Sequence, residues 1–256
     1  MGSIRTDLPP GHRLVSVAAE PPLWRPADEM CSSSWPEFML HDPIAHRCWG
    51  HLRDDWPRFQ LVLVDAAGGI AAAAQAAPLR WDGTDEGLPV GWDDQLERSV
   101  TGHAAGARPD TLGAIQIAVA RGRRGQGLSA LMLEAMRETS ADAGLGGVIA
   151  CVRPTAKDRY PLLPIDTYAA WRRADGLPVD PWLRVHVRAG GRLVRAAPRS
   201  MTIPGSIAEW RAWTGLEFPA SGPYLVQGAL APVDIDLAAD LGVYHDPNVW
   251  VVHAVA

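Results

Sequence analysis

The apolar pattern along the chain first becomes regular at Phe59-Gln-Leu-Val-Leu-Val-Asp65, which predicts a strand. A turn at Ala66-Ala-Gly-Gly69 leads into an alanine-rich second strand over 70–78, so the two form a hairpin. Small residues on that strand would let a bulky neighbour lie close against the sheet. A third strand is expected over 112–120, centred on Ile115-Gln-Ile-Ala-Val119. Leu128, Leu131, Met132 and Met136 then fall on one helical face, and the glycines up to Gly147 close that helix. Val148-Ile-Ala-Cys-Val152 reads as a buried strand. Asp180-Pro181 supplies an N-cap and a first helical residue for a helix running to 189, which Gly190-Gly191 stops. Shorter helices are predicted over 93–100, 165–173 and 206–214. Residues 192–198 and 200–203 look extended, and late strands are expected over 224–230 and 249–255. Residues 1–35 read as an irregular arm, and 35–56 as short helices with uneven apolar spacing. Elements alternate in type within one compact α+β or α/β domain.

Composition narrows the class. Hydrophobic residues make up 47% of the 256 and charged residues 21%, which excludes wholesale disorder and permits a full core without staples. The net charge of −5 leaves no basic footprint for nucleic acid. Cys31, Cys48 and Cys151 share no CxxC spacing, so neither a disulfide framework nor a structural zinc site is expected, and a reducing cytoplasm fits. Residues 1–12 lack a secretory apolar region. No apolar run is long enough to span a membrane. Met1-Gly2 with Thr6 matches a loose N-acylation pattern that is too short to carry weight. His41, His46 and His51 recur every five residues, which would not share a helical face, and no metal is expected.

The most informative segment is Ile117-Ala-Val-Ala-Arg-Gly-Arg-Arg-Gly-Gln-Gly-Leu-Ser129, a strand, a glycine loop and a helix start. Glycines let the backbone turn tightly, and the first helical amides form an anion site that favours a pyrophosphate. Arg121, Arg123 and Arg124 add positive charge. The bland alternative is a turn with glycines for geometry and arginines for solubility. No Gly-Lys-[Ser/Thr] occurs, and Gly122, Gly125 and Gly127 do not have dinucleotide-fold spacing.

Arg124-Gly-Gln-Gly-Leu-Ser129 resembles the Gln/Arg-x-x-Gly-x-Gly/Ala signature of the GCN5-related N-acetyltransferases (GNAT), with Ser129 where Gly or Ala is usual. The order of predicted elements resembles that family over 55–205. The resemblance implies a mixed, mostly antiparallel sheet flanked by helices. Residues 1–54 would then be an arm and helices of the same domain, 55–205 a GNAT-like core, and 206–256 a C-terminal extension packed on it. It implies that Arg124, Gly125, Gln126, Gly127, Leu128 and Ser129 hold the pyrophosphate of coenzyme A, and that Ile117 and Val119 contact the pantetheine arm.

In that family a tyrosine before a Gly-Phe pair protonates the departing thiolate. His186 occupies its position when the chain is aligned on Gly190, and Gly191 stands where the Phe would be. Histidine can act as acid or base near neutral pH, or it can simply pack at a helix end. Arg153, Thr155, Lys157 and Tyr160 fall near the cleft the family would open. Thr155 is a candidate to hydrogen-bond an acyl oxygen, and Lys157, the one lysine, a candidate to attract an anion. Cys151 reads as a buried inert thiol. Trp24, Trp35, Trp49, Trp56, Trp81 and Trp92 could wall an acceptor pocket or fill the core. The acidic loop 82–86 could attract an amine or simply be solvated.

The resemblance implies a coenzyme A-dependent acyltransferase moving an acetyl group from acetyl-CoA to an amine, with no metal. A second reading is a GNAT-like decarboxylase of malonyl-CoA-type thioesters that works through Thr155 and His186, as in domains that load polyketide synthases. A third is a non-catalytic acyl-CoA-binding module. The expected partners are an amine or other small-molecule acceptor and, where copies associate, a homodimer. Neither nucleic acid nor a membrane is expected.

Overall fold

A computed structural model of the chain describes residues 7–254. The Met1-Gly2 and Thr6 pattern and position 255 of the last predicted strand lie outside them. Nine strands form one sheet among the described residues: β1 (Arg13–Ser16), β2 (Leu61–Val64), β3 (Ile70–Leu79), β4 (Thr111–Val119), β5 (Gly147–Val152), β6 (Arg192–Gly205), β7 (Gly222–Tyr224), β8 (Val233–Asp236) and β9 (Leu241–Ala254). Their order is β1-β2-β3-β4-β5-β9-β8-β7, with β6 also pairing with β9. The β4–β5 pair is parallel and the other pairs are antiparallel. The helices are α1 (Trp24–Ser32), α2 (Pro43–Asp54), α3 (Trp92–Ala104), α4 (Leu128–Asp142), α5 (Ile165–Ala170), α6 (Pro181–Arg188) and α7 (Ile207–Thr214). This is the mixed, mostly antiparallel α+β architecture expected.

Alternation sorts side chains between the faces of the sheet. Leu61, Leu63, Ala72, Ala74 and Ala76 join the main core, whereas Val62, Val64 and Ala73 pack with Ala27 and Cys31 beneath α1. The alanines of β3 are buried on both faces, and α1, α3 and α4 all reach that strand. Caps fix several helix starts. Asp42 accepts from the Ala45 amide at 2.8 Å to open α2, and Asp180 accepts from Trp182 and Leu183 to open α6. Ser206 and Glu209 form a reciprocal capping box on α7.

Some expectations change. Residues 24–32, expected as part of an irregular arm, form α1, because Pro26 falls in the first turn, where its missing N–H matters little. The stretch over 224–230 is not a strand: β7 ends at Tyr224, and Gly228, at φ 82, turns the chain against Pro36. The two extended pieces at 192–198 and 200–203 are one bulged strand, β6. The segment from 206, expected as an extension packed on the core, supplies β9. That strand pairs with β5 in the interior of the sheet and is buried continuously from Asp246 to Val251.

Candidate active site

β4 and β5 pair at three positions, Leu112 with Val148, Gly113 with Ile149 and Ala114 with Ala150, and then part. β4 keeps β3 as its partner to Val119, with a bulge at Ile115 where the split begins. The strands diverge around a cleft of about 450 Å³. Ile117, Val119, Arg124, Thr155, His186 and Asn248 line it. An opened strand pair presents unpaired backbone groups to an extended ligand.

At one end of the cleft lies the glycine loop. Gly125 and Gly127 have φ values of 80 and 78, a conformation that favours glycine, and a Cβ on either would meet nothing within 4 Å. The strain there is conformational and the space above the loop is open. Gly127 caps α4 without any side-chain bond. Among the described residues, no amide from 124 to 129 donates to a protein acceptor. These amides fit an anionic ligand at the positive end of α4.

Only one of the three loop arginines is turned to the cleft. Arg123 is paired with Asp65 at 2.6 Å and Arg121 donates to the Ser33 carbonyl at 3.2 Å, which leaves Arg124 lining the site. The Leu128 side chain is 3% exposed and belongs to the core, so that residue can offer its amide alone. Gln126 is exposed beside it, and Ser129 is half-buried.

His186, on α6, is buried and lines the opposite wall. Its Nδ1 is 2.9 Å from Nε2 of His253 on β9, and its Nε2 has no partner. Burial, with His253 alongside, pushes its pKa down to about 3, so the ring is neutral at ordinary pH. Gly191 makes this pairing possible. A Cβ there would lie 2.5 Å from Cε1 of His253 and 2.8 Å from the His186 carbonyl. The His253 ring therefore fills the space that any side chain at 191 would enter. Thr155 is exposed on the cleft, and its hydroxyl makes no hydrogen bond among the described residues.

The remaining candidates are structural. Lys157 does not face an anion. Its ammonium is buried and donates to the Tyr160 and Leu230 carbonyls, at 2.7 Å each. Tyr160 packs against Tyr168 and Trp171, away from the cleft. The Arg153 Nε–H is shared between both oxygens of buried Asp246 at 3.0 and 3.1 Å, and its guanidinium lies over the Trp35 ring. Cys151 lies against Ser200, and burial pushes its thiol up to about 12, which leaves it inert. Asp85 of the acidic loop is paired with Arg192. No cluster of three or more metal-ligating side chains occurs among the described residues, and no described helix is long and apolar enough to cross a membrane.

A second cavity of about 380 Å³ adjoins the cleft and shares Trp35, Trp92, Ile115, Gln116 and Met201 with it. Trp35, Trp49 and Trp92 wall it, whereas Trp56 is core and Trp24 and Trp81 pack at the core's margin. The sequence reading missed Asn248, His253 and Asp28. The first two were legible only as polar residues inside the apolar run of β9, and Asp28 lay in the segment taken for an arm.

No protein-family model matches the chain. The chain is 31% identical over 284 aligned positions to the arginine N-acetyltransferase avaD of Aspergillus versicolor, covering 99% of this chain and 97% of the relative. Its fold superposes on the loading GNATL domain of CurA from Lyngbya majuscula with a TM-score of 0.58 at 15% identity, covering 95% and 98% of the two chains. It superposes on the GphF GNAT-like decarboxylase solved with isobutyryl-CoA with a TM-score of 0.55 at 17% identity, covering 96% and 99%. Signature loop, parted strands and full-length identity to an acetyltransferase agree: the chain belongs to the GCN5-related N-acetyltransferase superfamily, whose chemistry moves an acetyl group from acetyl-CoA to an amine.

Proposed function

We propose that the β4–β5 cleft holds acetyl-CoA and that the adjoining cavity delivers a primary amine to its thioester. The observation that carries this reading is the pairing of two joined spaces: a decarboxylase needs only the first, whereas transfer needs both. The amides of 124–129 and the Arg124 guanidinium would hold the pyrophosphate, and the β4 edge at Ile117 and Val119 the pantetheine arm. The bound thioester supplies an activated acyl carbon. The chain's own contribution is proximity and dry walls around the meeting point of the two spaces. In the transfer, the amine nitrogen forms a bond to the acyl carbon, the carbon–sulfur bond breaks with its electron pair leaving on coenzyme A as the thiolate, and the amine proton passes through water to that sulfur. His186, neutral at working pH, is suited to orienting the acyl group by hydrogen bonding rather than to donating a proton as imidazolium. The Thr155 hydroxyl faces the same volume.

Mass spectrometry of purified protein with acetyl-CoA or malonyl-CoA, with and without an amine panel that includes arginine, tests this. Free CoA appearing from acetyl-CoA only with an amine, together with an acetylated product, is the expected result. Acetyl-CoA accumulating from malonyl-CoA with no amine would make the decarboxylase reading the right one. Binding without either reaction would leave a non-catalytic module.

A further inference from the structure

The cavity beside the cleft holds one carboxylate that the fold does not use. α1 carries two acidic residues. Glu29 is paired with Arg25 at 2.8 Å. Asp28, one residue earlier, turns into the cavity and has no basic partner among the described residues. Among the described residues its carboxylate accepts one hydrogen bond, from the Trp49 indole N–H at 2.9 Å to Oδ1. Its second oxygen has no donor among the described residues and is not sealed off from solvent.

The rings around Asp28 are fixed so that their N–H groups are taken. Trp35 donates to Gln116 at 2.8 Å, Trp92 donates to the Ile115 carbonyl at 2.8 Å, and Trp49 donates to Asp28. Gln116 in turn donates to Gln75 at 2.6 Å. Trp49 and Trp92 stack with centroids 6.4 Å apart and 28° between planes. With their donors occupied, the rings meet the cavity through their carbon surfaces, one face of Trp35 already carrying the Arg153 guanidinium at 5.6 Å from its centroid. A carboxylate among indole faces attracts an organic cation: the anion supplies the charge and the rings supply quadrupole attraction. A neutral or anionic group would leave the Asp28 charge uncompensated.

We infer that Asp28 with Trp35, Trp49 and Trp92 forms a specificity subsite for a second positive group of the acceptor, a guanidinium or ammonium remote from the nitrogen that is acetylated. This deepens the proposed function and rests on it only for the word acceptor. Among the described residues no lysine or arginine lines the cavity, and His46 is its one basic side chain. The subsite therefore favours a remote cation over a carboxylate.

Agmatine, arginine and hexylamine are the probes, and the wild type is compared with Asp28→Asn. Asparagine keeps an oxygen for the Trp49 N–H and removes only the charge. Binding of agmatine, followed by tryptophan fluorescence and calorimetry in the presence of CoA, should weaken tenfold to a hundredfold in the variant, the loss of a charge-assisted hydrogen bond. In turnover, KM for agmatine and arginine should rise by a similar factor with kcat within twofold, while KM for hexylamine stays within twofold. Equal affinity of wild type and variant for agmatine, or an equal KM rise for hexylamine, would overturn the inference. Agmatine binding that depends on Asp28 in a protein that acetylates no amine would keep the cation site and discard the acetyltransferase reading. An unchanged melting temperature confirms that the variant is folded.

Discussion

At Gly191 one missing side chain makes room for another. The imidazole of His253 lies where a side chain at 191 would begin, and it holds His186 through a 2.9 Å contact. Burial pushes both rings below their ordinary 6.5, His186 to about 3 and His253 to about 4. The native state therefore disfavours protons that the unfolded chain binds readily. Stability from this pair is fully present above pH 6.5 and falls as pH drops towards the native values. Urea melts of the wild type should lose about 1 kcal/mol per pH unit per histidine between pH 6.5 and 4. His186→Leu should show roughly half that slope, and an unchanged slope would place the acid sensitivity elsewhere. The same burial explains why the role of His186 was only partly legible. Its position in the cleft followed from the family pattern. Its neutral state depends on His253, far away in sequence, and no local pattern joins the two.

Between elements, the sharpest electrostatic feature joins α2, α3 and β6. Asp42 caps α2 and is fully buried, and Asp93, in the first turn of α3, accepts from the Thr202 amide at 2.9 Å. Each carboxyl keeps one buried oxygen without a partner, and the two lie close enough to repel when both are charged. Burial first, and then the Asp42 charge, push Asp93 up to about 9 from 3.8. A raised carboxyl stabilises the fold while protonated, so its contribution is present below pH 4 and is lost as pH climbs to 9. Asp93→Asn keeps the acceptor for Thr202 and removes the charge that faces Asp42. The variant should melt higher than wild type at pH 9, with the gap closing towards pH 5. A constant gap would mean that the proton is not the cause. Element placement was otherwise well marked in the sequence wherever periodicity and caps agreed, as at α4 and α6. It failed where one residue decided the matter, as at Gly228, or where prolines masked a helix start, as at α1.

For the whole molecule, the resemblance covering 55–205 located the loop, the parted strands and the wall bearing His186. It did not reveal that the sheet closes only when β9 enters between β5 and β6. Trp250 and Tyr244, both fully buried, anchor that strand, and Asp246 takes Arg153 from the end of β5. A chain ending at Asp240 should lose cooperative thermal unfolding altogether and be digested rapidly by protease. A sharp melt in that truncation would show the remaining strands to be self-sufficient.

This placement also has a consequence for synthesis. The backbone edge of Val148 to Val152 is left bare on the growing chain until residues up to Ala254 have emerged and folded back. A bare, apolar strand edge is a template for pairing with other chains. The nascent protein therefore passes through a stage that invites self-association, and chaperone dependence at the ribosome should track how long translation takes from β5 to β9.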